Sequence, residues 1–343
     1  MNTNSSSNKG GLLFSLSNSY PVSTFLLITF IWSWLFWIAA IPFSDDNPAL
    51  MMAITFIGGY GPALGSVLTL QLQSGIKIDL SRKRLQLIGI IFLMLLGIMS
   101  LRMWAGEIPH YDTLSEDPLI SVPVIVLGFF AFLTGAFVIS SARSSNQHVR
   151  ATMQSLIPSD ISWFWLIFVL FFLASLYLIS WGLAALFGLN ISPAPLSEYS
   201  PLQATYLFII TFIVTALIRG GMEEPGWRGF MLPELQKKYS PLVASVIIAF
   251  FWDAWHIPLH LNGFYSSGLV EGMVGRSIII IPASILLTWV YNKSQGQLLV
   301  LVILHTTINI VGTAIPSSIV YPVLSISFIL FIVFKDKMYL KQR

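Results

Sequence analysis

Ten blocks dominated by apolar residues follow one another along the chain, at about 21–43, 50–73, 85–101, 119–142, 161–188, 203–218, 241–261, 277–292, 297–315 and 317–334. Crossing a hydrocarbon core as an α-helix takes roughly 20 such residues, and most of the blocks approach that length. The pattern predicts an all-α, polytopic membrane protein of about ten transmembrane helices. The intervals between blocks are short, and none is large enough to fold alone. No internal repeat, heptad run or low-complexity tract is present beyond the polar start, MNTNSSSNKGGLLFSLSNS, which reads as a mobile tail. The first apolar block exceeds the roughly 7 to 15 residues of a cleavable signal core and reads as an anchor. Within the second block, GGYGPALGS at 58–66 brings small residues and a proline together, the composition of close helix packing.

Composition strengthens this picture. The 343 residues are 55% hydrophobic and only 10% charged, against about 25% charged in soluble domains. The formal charge of +3 does not imply a nucleic-acid partner, because in a membrane protein the basic residues matter through the loops that hold them. With the N-terminus inside, only Arg102 and Arg276 of the 18 basic residues fall outside. Both termini and the 219–240 interval, with Arg219, Arg228, Lys237 and Lys238, are therefore expected to be cytoplasmic. The expected location is the plasma membrane of a prokaryote. Cysteine is absent, so disulfides, a thiolate nucleophile and Cys-ligated metal are excluded.

Six polar residues stand at or inside apolar blocks: Glu223, Glu224 and Arg228 in GGMEEPGWRGF, His256 in FWDAWHIPLH, and His305 and Asn309 in LHTTIN. Ionisable side chains at such places are costly and mark pathways, proton relays or catalytic sites. Two adjacent carboxylates do not easily share full ionisation, so one can serve as a general base near neutral pH. Neighbours on a helix point about 100° apart, which gives Glu223 and Glu224 different surroundings. Glu224 and Arg228 have the i, i+4 spacing of an ion pair, leaving Glu223 free for a water. An interfacial charge cluster would look the same in isolation.

His256 lies about 22 Å along a straight helix from Pro241, deeper than an inner-end glutamate. Glu223 and His256 meet only if 222–240 dips into the bilayer or the site is a water-filled cavity, where irregular backbone is tolerated against protein. His260, one turn further, is either a second ligand or an interfacial residue, and Asp253 either orients a histidine or caps a polar patch. His305 and Asn309, one turn apart on one face, offer N–H donors to a developing oxyanion, or else glue helices together.

These residues together resemble the CAAX protease and bacteriocin-processing (CPBP/Abi) family of intramembrane endopeptidases. Glu223, Glu224 and Arg228 match its EExxxR signature, and His305 and Asn309 its HxxxN. The middle signature, FxxxH, is met with a change: Trp252 stands four residues before His256. The matching core is 203–315, preceded by the tail at 1–20 and transmembrane helices over 21–202, and followed by a last helix and basic tail at 316–343. The resemblance implies that Glu223 and His256 activate water while His305 and Asn309 stabilise the oxyanion. The substrates it implies are membrane-associated or lipidated, CAAX-like peptides or proteins.

Zinc held by Glu223, His256 and His305 is the competing form of this chemistry. The sequence contains neither HExxH nor a Cys ligand, which favours a metal-free reading with no cofactor. Two other classes compete with a peptidase. One is a proton-coupled secondary transporter, which needs corresponding broken polar helices in the first five blocks, where intramembrane acids are almost lacking. The other is a catalytically silent immunity or partner protein on the same fold.

Overall fold

The computed structural model describes residues 11–75, 78–104, 118–158 and 160–341. Prolines open most of its helices, where a missing N–H costs nothing and the fixed φ suits the first turn. Pro21 begins α2 (Pro21–Ala39), after a short α1 (Leu12–Ser19). Pro48 begins α3 (Pro48–Gly59), whose cap Asn47 accepts from the Leu50 N–H at 3.0 Å. α4 (Gly61–Ser74) continues the same span and ends at Gly75, where φ is +62°. α5 (Arg82–Trp104), α6 (Pro118–Ser140), the short α7 (Gln147–Met153) and α8 (Trp163–Leu186) complete the first half.

The second half carries the six polar residues on a broken framework. α9 (Pro201–Ile218) runs through a tight turn at 220–223 into α10 (Glu224–Gly226), a wide π turn at 227–231 and α11 (Leu232–Gln236). α12 (Pro241–Trp255), capped by Ser240, leads into α13 (Ile257–Leu261). Then follow α14 (Leu269–Lys293), α15 (Leu298–Ala314) and α16 (Val320–Lys335). The only β-structure among the described residues pairs Ile191 with Ser318 and Ser192 with Ser317, antiparallel, beyond the ends of α8 and α15.

Eight segments among the described residues are long and apolar enough to cross a bilayer, and α15 and α16 are shorter apolar helices of 17 and 16 residues. Outward faces are apolar too: on α2, Leu27, Ile31, Leu35 and Ile38 are all at least half exposed. A soluble protein rarely presents so large an apolar surface, whereas lipid accepts it. The protein is an all-α, polytopic integral membrane protein.

Two boundaries differ from the sequence pattern, and both differences concern the site. The 219–240 interval is not a loop. Residues 201–236 form one broken span, because Glu224 and Arg228 are fully buried and pair with each other, which removes the solvation need that made them look extramembrane. Only 237–240 remains as the turn into α12. α14 begins at Leu269, eight residues before the apolar block at 277, because Arg276 and Glu271 face a cavity instead of ending the helix. Residues 1–10 of the expected tail lie outside the described residues, and 12–19 form α1.

The small residues at 58–66 do serve packing. A side chain at Gly61 would meet the Ser33 hydroxyl of α2, and one at Gly65 the Thr29 hydroxyl. Pro62 also presses its carbonyl against Gly226, so α4 braces the segment that carries the glutamates.

Candidate active site

The break after α9 sets the site. From Gly220 to Gln236 the chain runs antiparallel beside α15: Gly229 lies against Leu298, Gly221 against Val302, and Gly220 against His305 and Asn309. Glu223 and His256 both lie well over a dozen residues from the 237–240 turn, and so reach comparable depth on neighbouring segments. This is the first of the two arrangements under which the sequence brings them together.

Glu224 is the hub. Its Oε1 accepts from Arg228 Nη1 at 3.1 Å and from His305 Nδ1 at 2.5 Å, and all three side chains are buried. Arg228 also donates from Nη2 to Ser284 Oγ at 3.1 Å, and its guanidinium stands 4.6 Å from the centre of the Trp252 ring. Each contact offsets part of the cost of burying a charge, which is large for an unpaired ion.

Glu223 points elsewhere, as the 100° offset requires. Its Oε2 accepts from Trp252 Nε1 at 2.5 Å. Trp252 therefore does more than fill an aromatic position: the indole supplies a donor that phenylalanine in FxxxH lacks. His256 Nδ1 lies 2.6 Å from the Trp252 carbonyl, one turn back. A carbonyl can only accept, so Nδ1 carries the proton and Nε2 is left as the ring's acceptor.

A cavity of about 900 Å³ collects these groups. Glu223, His256, His305 and Asn309 line it, together with Trp252 and Gly220, while Glu224 and Arg228 stand behind His305 and outside the lining. Arg219 and Arg276 line it as well, although the charge pattern had assigned them to opposite sides of the membrane. Asn309 makes no hydrogen bond among the described residues, so it does not glue helices. Asp253 makes no hydrogen bond to a histidine among the described residues. Its Oδ2 accepts from Ser277 Oγ at 2.5 Å, a polar patch between α12 and α14. His260 lines the cavity beside Tyr265, with ring centres 4.9 Å apart.

Nδ1 of His305 and Nδ1 of His256 face Glu224 and the Trp252 carbonyl, which leaves Nε2 as the remaining nitrogen of each ring. Among the described residues no three His, Cys, Asp or Glu side chains are grouped to hold a metal.

Sequence reasoning missed Gly220, which carries no functional group, and gave Trp252 no hydrogen bond. The indole could have been found from the tryptophan replacing phenylalanine four residues before His256.

Fold and site together define a helical integral membrane protein with a polar, carboxylate-and-histidine cavity between its helices. Residues 205–311 match the family model of type II CAAX prenyl endopeptidases, described as Rce1-like, and this bears out the CPBP resemblance for the segment that carries all six polar residues. The chain is also 31% identical over 99 residues to CAAX prenyl protease 2 of Methanococcus maripaludis. That similarity covers 27% of this chain and 36% of the relative, so about a third of the relative's length is spanned.

Proposed function

We propose that the protein is an intramembrane endopeptidase that hydrolyses peptide bonds in membrane-associated or lipidated, CAAX-like peptides or proteins. The observation that carries this reading is the division of labour around one cavity. A carboxylate and a histidine acceptor line it, two N–H-bearing side chains line it beside them, and a buried ion pair holds one of those two by its far nitrogen.

Glu223 takes a proton from a water oriented with the help of His256 Nε2. The water oxygen attacks the scissile carbonyl carbon, and the carbonyl π electrons move onto oxygen. Asn309 Nδ2 and His305 Nε2 donate to that oxyanion. His305 already gives its Nδ1 proton to Glu224, so it donates from Nε2 only as an imidazolium, whose charge the Glu224 carboxylate balances. On collapse the C–N bond breaks and the leaving amine takes the proton that Glu223 carries. The mechanism is read as metal-free, and exhaustive chelation should leave the rate unchanged; zinc near one per chain, lost together with activity, would contradict this.

Asn309→Ala removes one oxyanion donor from a side chain with no hydrogen bond among the described residues, so folding should be kept while turnover falls about 10²- to 10³-fold. The assay is cleavage of a prenylated peptide by the purified protein in lipid nanodiscs. A rate within a few-fold of the unchanged protein would remove Asn309 from the mechanism.

The proposed orientation places the 237–240 turn and both termini in the cytoplasm of a prokaryotic cell. Lys238 and Asp46 are exposed at opposite ends of the bundle in a chain without cysteine. In intact cells an impermeant thiol reagent should label Asp46→Cys and spare Lys238→Cys, and the reverse pattern would invert the protein.

A further inference from the structure

We infer that Gly220 is a positioning residue, whose missing side chain keeps open the point on which His305 and Asn309 converge; this rests on the peptidase reading above. A Cβ built on Gly220 would lie 2.5 Å from Asn309 Nδ2 and 2.6 Å from His305 Nε2, with His305 Cδ2 at 3.0 Å. These are the two nitrogens that would face an oxyanion. A methyl group at 220 therefore competes for the space next to both donors. Oxyanion donors act at about 2.7 to 3.1 Å from the oxygen, so that space has no room for a carbon as well.

What yields is decided by how each side chain is held. His305 is fixed from behind by Glu224 at 2.5 Å, and Glu224 in turn by Arg228. Asn309 has no hydrogen bond among the described residues and is exposed to the cavity. A methyl at 220 is thus met by Asn309 swinging away, and the remaining 2.6 Å contact with His305 Nε2 tilts that ring about its bond to Glu224. The fold is kept while the Asn309 donor is lost and the His305 donor is displaced, so Gly220→Ala costs turnover at least as much as Asn309→Ala. The neighbouring glycine is different. A Cβ at Gly221 would meet the Ala216 carbonyl at 2.5 Å, which is backbone and cannot swing aside, so the requirement there is structural.

The test is Gly220→Ala in the full-length protein in nanodiscs, with cleavage kinetics, thermal unfolding and the ¹⁵N spectrum of labelled histidines, the His305 signal being assigned by its loss in His305→Gln. The expected result is a fall in kcat of about 10²- to 10³-fold with KM little changed, the signature of an interaction made only in the transition state. The unfolding temperature should stay near that of the unchanged protein. The double variant Gly220→Ala/Asn309→Ala should lose far less than the product of the two single losses, because both remove the same donor. The His305 Nε2 resonance should move in Gly220→Ala. Turnover within about twofold of the unchanged protein, or losses that multiply in the double variant, would overturn the inference. If the unchanged protein cleaves nothing, the peptidase reading fails, and the His305 resonance still decides whether position 220 governs the space at that nitrogen: an unmoved signal rejects it.

Discussion

Glu223→Gln should leave a folded protein that no longer turns over. The amide is nearly isosteric, and its oxygen can still accept from Trp252 Nε1, so the packing around the site is retained. It cannot take a proton from water. General-base catalysis by a positioned side chain contributes about 10²- to 10⁴-fold, and the loss should fall in that range or beyond it. Glu224 is not a substitute, because it stands outside the cavity lining and its Oε1 is shared between Arg228 and His305. Steady-state cleavage and an unfolding curve on the same preparation check this. Activity comparable to the unchanged protein would take Glu223 out of the reaction.

Arg228→Met should act on the opposite property. Arg228 and Glu224 are both fully buried, and their contact is 3.1 Å. Removing one partner of such a pair leaves the other charge uncompensated and typically costs about 3 to 5 kcal/mol. The contacts of Arg228 with Ser284 and the Trp252 ring are lost at the same time. The expected outcome is a large fall in unfolding temperature, with His305 no longer held in register. Combining it with Glu224→Gln should restore much of the stability, because the buried charge is gone from both sides. It should not restore turnover, because His305 then lacks the carboxylate that balances its charge. Equal stability of the single and double variants would show that the pair is not coupled.

These two outcomes separate because adjacent glutamates on one turn have unlike surroundings, and that was legible in the sequence. So were the Glu224–Arg228 pairing, the common face of His305 and Asn309, and the packing role of the glycines at 58–66. All follow from helical spacing, which is local. The break in the helix at 219–223 was not legible. Arg219 and Arg228 look like loop charges because a sequence does not show that the Glu224–Arg228 pair is sealed in the interior, or that Arg219 lines a cavity. The same limit hid the first turns of α14, where Glu271 and Arg276 face the cavity and not an aqueous loop. Gly220 was invisible for a different reason. Its contribution is the absence of an atom, and only the distances to His305 and Asn309 give that absence a meaning.

The central claim is direct hydrolysis of a peptide bond by water activated at Glu223. Mass spectrometry of the products formed from a prenylated peptide in H₂¹⁸O, by the purified protein in nanodiscs and by Glu223→Gln beside it, tests this most directly. The expected result is a new C-terminal carboxylate carrying one ¹⁸O, together with the released peptide bearing a free amine, from the unchanged protein alone. No cleavage of any lipidated or membrane peptide, or the same labelled products at the same rate from Glu223→Gln, would contradict it.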